Sequence, residues 1–490
     1  MKIRRLGRQL VRTKPADAAG LEHREGGLRR SFGFFSLTML GVGATVGTGI
    51  FFALAETVPE AGPATILSFL IAATTAGLTA LCYSELSFRI PAAGSSYSYA
   101  YATFGEFAAY LVAACLLLEY GLAASATAIG WSAYLNNFLL NAFDWQVPEM
   151  LRSSMIAAGA HGVEIRPGRV NLPPIILVAM CGVLLSRGAK DSTTTNSVLV
   201  VIKLAVLVFF AVVAFTGFRI QNFTPFFNPD DSKGFAGMAG VTAAAGTVFF
   251  SFIGLDTVAT AGEEVKNPTR NMPLGIIAAL LIVTLCYLLV AVAALGAQPA
   301  RQFAGQDAGL SVILQNVTGT TWPALVLSAG AVISVFSVTL VTIYGQTRIL
   351  YAISRDGLIP KVFHRVNART LAPVNSTISV CVAVGLVAGF VDSAFLWDMV
   401  SMGTLVAFAV VSAAVPVLRR KYAAADGIGF RVPFGPYLIP GLSILSCAYI
   451  VKSLSATTHE VFFIWLGIAV ISYFGYGMHN SRLNQAATER

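Results

Sequence analysis

The chain has 490 residues, 56% hydrophobic and only 12% charged, with a mean hydropathy of +0.72 and a formal net charge of +9. Soluble globular proteins carry about 25% charged residues. Half that share cannot cover a water-facing surface, so a soluble globular domain is excluded. Apolar runs of about 18 or more residues cross a hydrocarbon core of ~30 Å. The stretches 198–215, 278–295 and 373–390 qualify and hold one charge between them, Lys203. In chain order the pattern predicts about twelve spans: 36–57, 65–88, 105–127, 174–187, 197–217, 240–262, 273–296, 324–353, 375–391, 397–419, 436–454 and 460–479. The longest connection predicted between spans runs from Asn136 to Asn171.

Charge position gives the orientation. Nine basic residues precede the first span, and the even-to-odd connections add more, such as Arg348, Arg355, Lys361, Arg365 and Arg369. The opposite side holds Arg152, Arg166, Arg169, Arg219, Lys233, Arg301 and Lys452. Basic residues accumulate on the cytoplasmic side, so both termini are expected there. The basic excess is then a topology signal, and no nucleic-acid partner is needed to explain it. The first 30 residues are polar and basic with no apolar core, so no cleavable signal peptide is expected. The six cysteines lie singly in apolar runs and read as small core residues. The histidines are isolated, so neither a metal site nor a cofactor is expected, and an enzyme is disfavoured.

Four features carry chemistry. The first span contains Gly41-Val42-Gly43-Ala44-Thr45-Val46-Gly47-Thr48-Gly49. Each glycine weakens a helix by about 1 kcal/mol relative to alanine. A break at Gly47-Thr48-Gly49 would present the N–H groups and positive dipole end of a half-helix to a carboxylate. A small-residue packing face is the other reading of this segment alone. The sixth span holds Phe249-Phe250-Ser251-Phe252-Ile253-Gly254-Leu255-Asp256, again with a mid-span glycine. Two interrupted segments at corresponding places in two halves point to a transporter site, which favours the broken-helix reading.

Lys203 lies too deep in its run to reach the interface easily. Intramembrane charges are functional by default, and burial disfavours the charged form of an amine, so this one is placed to exchange a proton. Its structural alternative is a lysine bonded to backbone carbonyls. Glu119, in Leu116-Leu117-Leu118-Glu119-Tyr120-Gly121, either faces a cationic substrate group, pairs with a buried cation, or bonds unwound backbone. Two softer features are Tyr83-Ser84-Glu85 leading to Arg89-Ile90-Pro91, and Glu263-Glu264-Val265-Lys266-Asn267-Pro268. Both read first as loop charge and helix capping, with a paired cytoplasmic gate as the alternative.

Taken together these segments resemble the amino acid–polyamine–organocation superfamily, specifically bacterial members of the cationic amino acid transporter family. The residues that carry the resemblance are Gly41 to Phe51, Pro91 to Glu106, Leu118 to Gly121, Phe249 to Asp256, Glu263 to Pro268 and Tyr344 to Gly357. The resemblance implies an all-α integral membrane protein of about 12 transmembrane helices. It implies a leucine-transporter-type 5+5 inverted repeat with helices 1 and 6 broken. The layout is a tail over 1–35, five-span repeats over 36–217 and 240–419, two further spans over 436–479 and a tail over 480–490.

The family likeness further implies a secondary transporter of L-amino acids in the plasma membrane, with a proton gradient as its coupling source. By the same likeness Gly47, Thr48 and Gly49 hold the substrate carboxylate. Carbonyls of Thr45, Phe250 and Ile253 hold its α-amino group, and the Phe250 ring closes over it. Lys203 matches the family's span-five lysine, which stands where sodium-coupled relatives bind sodium and so implies proton coupling, and Glu119 matches an acid near the side-chain subsite. Thr342, two residues before Tyr344, leaves room for a longer side chain, a cationic one included. Exchange without protons, and a transporter-like sensor, remain the alternatives; the oligomeric state stays open.

Overall fold

The computed structural model describes residues 10–14, 32–90, 94–159, 162–187, 193–227, 237–260, 265–306, 308–367, 372–421 and 430–484. Pro91, Glu263 and Glu264 lie outside them. The fold is helical because its long runs are rich in Leu, Ala, Val and Ile, and helix prolines fall mostly in first turns, with Pro59, Pro273 and Pro416 the ones inside helices. A first-turn proline costs no hydrogen bond. In order the helices are α1 (Phe34–Thr45), α2 (Thr48–Ala61), α3 (Thr65–Arg89), α4 (Ser95–Thr103), α5 (Glu106–Phe143), α6 (Leu172–Ser186), α7 (Thr193–Thr216), α8 (Met238–Phe249) and α9 (Thr257–Thr260). They continue as α10 (Pro268–Ala297), α11 (Gly309–Thr318), α12 (Trp322–Arg355), α13 (Val374–Phe390), α14 (Trp397–Lys421), α15 (Leu438–Ser453) and α16 (Ala456–Ser472). Among the described residues eight helical stretches are long and apolar enough to cross a membrane, and four shorter apolar helices accompany them: α1, α6, α13 and α15. The chain is a multi-pass membrane protein.

Three regions depart from the sequence reading. The third span was expected over 105–127, but α5 continues to Phe143, 38 residues in all. Its polar residues there are bonded, not solvated. Ser132 donates to Asn171 Oδ1 at 3.0 Å, and Asn137 Oδ1 accepts from Ser311 at 2.8 Å and Ser328 at 2.7 Å. The connection expected from Asn136 therefore begins only at Asp144. It contains an antiparallel hairpin, β1 (Ile156–Gly159) and β2 (Gly162–Ile165), with Ile156 opposite Ile165. The serine- and tyrosine-rich stretch after α3 was read as a connection, yet α4 is a helix with Tyr97, Tyr99 and Tyr101 buried. The amphipathic α11 was not anticipated.

In lipid, apolar burial drives little association between helices, so close packing and polar ties carry it. α5 packs most extensively on α12, both rich in small buried residues, while α10 lies against α1 and α3. Hydroxyls tie neighbours to backbone: Ser68 to the Val241 carbonyl and Ser401 to that of Gly246, both at 2.8 Å. At one end of the bundle Glu85, 1% exposed, takes both guanidinium bonds of Arg419 at 2.7 and 2.6 Å and the Val432 N–H at 2.8 Å. Glu85 is thus a fully bonded interior carboxylate joining α3 to α14, not a loop charge, because α3 runs on to Arg89 and turns it inward.

Candidate functional site

The first broken span is a gap of two residues. α1 stops at Thr45, Val46 is extended (φ −73°, ψ 96°), and α2 starts at Thr48 with Gly47 as its cap. The break thus lies at Val46-Gly47, slightly before the expected triplet, and Thr48 and Gly49 already belong to α2. The last carbonyls of a helix have no partner within it, and here side chains of distant spans supply several. Val42 O accepts the Val46 N–H at 2.8 Å. Lys203, 1% exposed on α7, donates its ammonium to Gly43 O at 3.0 Å. Tyr287 on α10 shares its hydroxyl between Thr45 O at 2.8 Å and Ser251 O at 2.9 Å. At the other side of the gap, the first N–H groups of α2 lack acceptors within their own helix.

The second broken span unwinds further. α8 ends at Phe249, a tight turn covers Phe250–Phe252, Ile253 is extended, and Gly254 adopts φ +104° before α9 begins at Thr257. A residue with a side chain is strained at that φ. Space forbids one too, since a Cβ on Gly254 would lie 2.6 Å from Ala44 O. Reciprocally, a Cβ on Gly49 would lie 2.4 Å from Ser251 Cα. The two breaks therefore cross backbone to backbone, and glycine at these two points is what lets them meet.

Beside this crossing is a cavity of about 40 Å³, space for roughly three waters. Of the residues singled out from sequence, Thr45, Gly47, Gly49, Phe250, Ile253 and Thr342 line it. Thr48 contributes the backbone between the two glycines. Thr342 bonds its hydroxyl back to Val338 O at 2.9 Å and stays short. Lys203 stands one layer behind, reaching the site through Gly43. Glu119 is not among the lining residues: its Cβ abuts the position of Gly403 on α14, while the next residue, Tyr120, lines the cavity. Tyr120 also donates to Asp256 Oδ2 at 2.9 Å.

Aromatic rings cover the side toward the start of α14. Phe250 meets Trp397 edge-on at 4.5 Å between centroids, and Phe52 stacks on the same Trp397 at 6.4 Å. Offset and edge-on rings are the favoured geometries. Sequence reasoning named Phe250 but missed Trp397, Tyr287, Tyr120 and Thr127. Tyr120 stands beside the intramembrane Glu119, while Trp397, Tyr287 and Thr127 fall in no glycine or charge anomaly. A tyrosine in the middle of an otherwise apolar run, as at 287, is the one signal that was available, since its hydroxyl needs a partner.

Residues 32–478 match the family model described as amino acid permease. The chain is 38% identical to the methylthioribose transporter of Bacillus subtilis (strain 168), over 97% of this chain and 99% of that protein. It is 38% identical to the branched-chain amino acid permease BcaP of the same organism, over 94% of this chain and 96% of that protein. It is 37% identical to the vacuolar cationic amino acid transporter 4 of Arabidopsis thaliana, over 86% of this chain and 68% of that protein.

Proposed function

Because the chain belongs to the amino acid permease family of the amino acid–polyamine–organocation superfamily, we propose that it is a secondary active transporter of L-amino acids, coupled to protons, in the plasma membrane. The observation that carries this reading is the crossing of two broken helices at one cavity. Backbone N–H groups at the start of α2 suit a carboxylate. Carbonyls at the end of α1 and in the turn after α8, each with a second lone pair, suit an ammonium. Both poles of an α-amino acid are met by main chain, and the side chain is left to Phe250, Thr342 and Tyr120.

The reading carries an arrangement. The α1–α2 pair and the α8–α9 pair head two five-span repeats, 36–217 and 240–419, with opposite topology, followed by two spans, for twelve in total. Both termini face the cytoplasm, on the side where Glu85 meets Arg419. Substrate bridges the two breaks from the outer side, and rocking of the repeats exposes it inward. Lys203 is the proton carrier: with its proton it ties α7 to Gly43 O at the first break by a charge-assisted bond, and without it that tie falls to the weaker bond of a neutral amine. The short Thr342 leaves room for long side chains, including basic ones. The name of one similar protein, a methylthioribose transporter, adds one non-amino-acid candidate to be tried beside the amino acids.

The test is uptake of labelled L-amino acids and methylthioribose into proteoliposomes, with and without an inward pH gradient. Saturable amino acid uptake that the gradient accelerates is expected. Counterflow with no response to the gradient would replace proton coupling by exchange. Ligand binding with no uptake would replace transport by sensing.

A further inference from the structure

The helices α6 and α13 contribute no residue to the lining of the cavity. They lie antiparallel to each other: a Cβ on Gly182 would be 2.8 Å from Cys381 Sγ, and one on Gly389 would be 2.6 Å from the Ile175 side chain. Their inner faces pack on α5 and α12 through Leu177, Val178, Cys181, Val380 and Val384. Between their outer faces runs an open groove of about 670 Å³. Its walls are apolar, with Ile175, Ala179, Val183, Ile378, Val382 and Leu386 among them. Gly385 marks the void most directly. It is buried and lines the groove, yet a Cβ there would meet nothing within 4 Å.

Both helices are short, at 15 and 17 residues. They rise about 22 and about 25 Å, against a hydrocarbon core of ~30 Å. A span shorter than the core leaves a deficit that the surrounding lipid must adapt to. The groove also ends on a charge. Arg187, just past α6, lines it together with Ser186 and Thr377. The antiparallel packing sets this end beside the start of α13. The turn over Lys361–His364 lies against that start, where Asn375 Nδ2 donates to Val362 O at 3.3 Å and Ser376 Oγ donates to Phe363 O. Lys361 opens this turn and Arg365 follows it. Among the described residues the side chains of Arg187, Lys361 and Arg365 make no hydrogen bond and no ion pair. An apolar trough with unpaired cations at one mouth is complementary to a molecule with an apolar tail and an anionic head.

We propose that the α6–α13 groove is a binding site for one anionic phospholipid, with an acyl chain along the groove and the phosphate on Arg187. Lys361 and Arg365 add to the positive field at that end. The volume lies within the range of about 300–1,000 Å³ usual for ligand sites. Arginine suits the role because its planar fork can bind two phosphate oxygens at once. A second copy of the chain fits less well. An isologous contact sets one patch against itself, so two grooves would face each other across a void and like charges would be brought together. A neutral lipid fills the trough but leaves the cations unmet. The bound lipid completes the pair of short spans that braces α5 and α12, the helices that carry Tyr120 and Thr342 to the cavity. The site is independent of which substrate the cavity takes.

The test is native mass spectrometry of the purified, delipidated full chain in detergent, with dioleoyl phosphatidylglycerol or dioleoyl phosphatidylcholine added. The wild type is expected to hold one phosphatidylglycerol about tenfold more tightly than phosphatidylcholine. Arg187→Gln should lower that preference about fivefold, as loss of one of the basic residues predicts. Gly385→Leu fills the groove without meeting another group, and should lose the tightly held lipid of either kind while eluting as a monodisperse species. Should Gly385→Leu not fold, Arg187→Gln, at an exposed position, decides. Equal retention of the two lipids by the wild type overturns the proposal, as does a phosphatidylglycerol preference unchanged in the variants. A dimer that Gly385→Leu converts to monomer places a second copy in the groove and overturns it too.

Discussion

The two broken spans solve the same problem by different means. The first is abrupt: two residues separate α1 from α2, and the freed carbonyls are met by long side chains from elsewhere, Lys203 and Tyr287. The second is gradual: a tight turn, an extended residue and a positive-φ glycine separate α8 from α9, and an acid from the unwound stretch itself, Asp256, takes the hydroxyl of Tyr120. In lipid every freed backbone group must find a partner inside the protein. The first break borrows its partners from spans that neighbour it, so it is coupled to α7 and α10. The second carries polarity of its own and is coupled to α5.

The comparison is broken most severely at the crossing. Gly49→Val puts a branched side chain onto the Ser251 backbone, and complete loss of uptake is expected; robust uptake by this variant would mean the breaks do not cross as described. Gly254→Ala follows, with strain at positive φ and overpacking against Ala44 O together costing about 3 kcal/mol. A melting curve in detergent checks it, and an unchanged midpoint contradicts it. Next comes Lys203→Ala. Uptake in this variant is expected to be the same with and without a pH gradient, because the group assigned to carry the proton is gone. A gradient response equal to wild type would remove Lys203 from the coupling. The mildest is Tyr287→Phe, which leaves one or both shared carbonyls unpartnered at about 1–3 kcal/mol. About tenfold slower uptake with normal expression is expected, and wild-type rates would show the hydroxyl to be dispensable.

The breaks were legible in the sequence because glycines that would weaken a helix stood in the middle of apolar runs, twice, with matching spacing. Lys203 was legible because a charge has no default place there. What failed was phase and continuation. Glu119 and Tyr120 are adjacent in sequence, but a helix turns consecutive residues about 100° apart, and only packing against Gly403 decides which one meets the cavity. The run through Ser132, Asn136 and Asn137 looked like the end of a span because hydropathy treats amides as solvated. In the fold Ser132 meets Asn171, and Asn137 meets Ser311 and Ser328, residues 39 or more positions away that no local pattern reveals, while Asn136 bonds Ser132 O and the Val147 N–H. The helix 95–103 was hidden for the same reason, since its serines and tyrosines score as polar while the tertiary structure buries them.

The Tyr287 hydroxyl has one proton and two claimants. While the breaks touch, Thr45 O and Ser251 O share that proton from opposite sides. If the helices part, one carbonyl is stranded without a donor in a dry interior, a cost of about 1–3 kcal/mol. An arriving ammonium brings spare donors to the very carbonyl of Thr45 that would otherwise be abandoned. On the transport reading proposed above, an empty carrier is then held shut by its own bookkeeping of protons and a loaded one is released, so that a single phenol opposes leak without cargo.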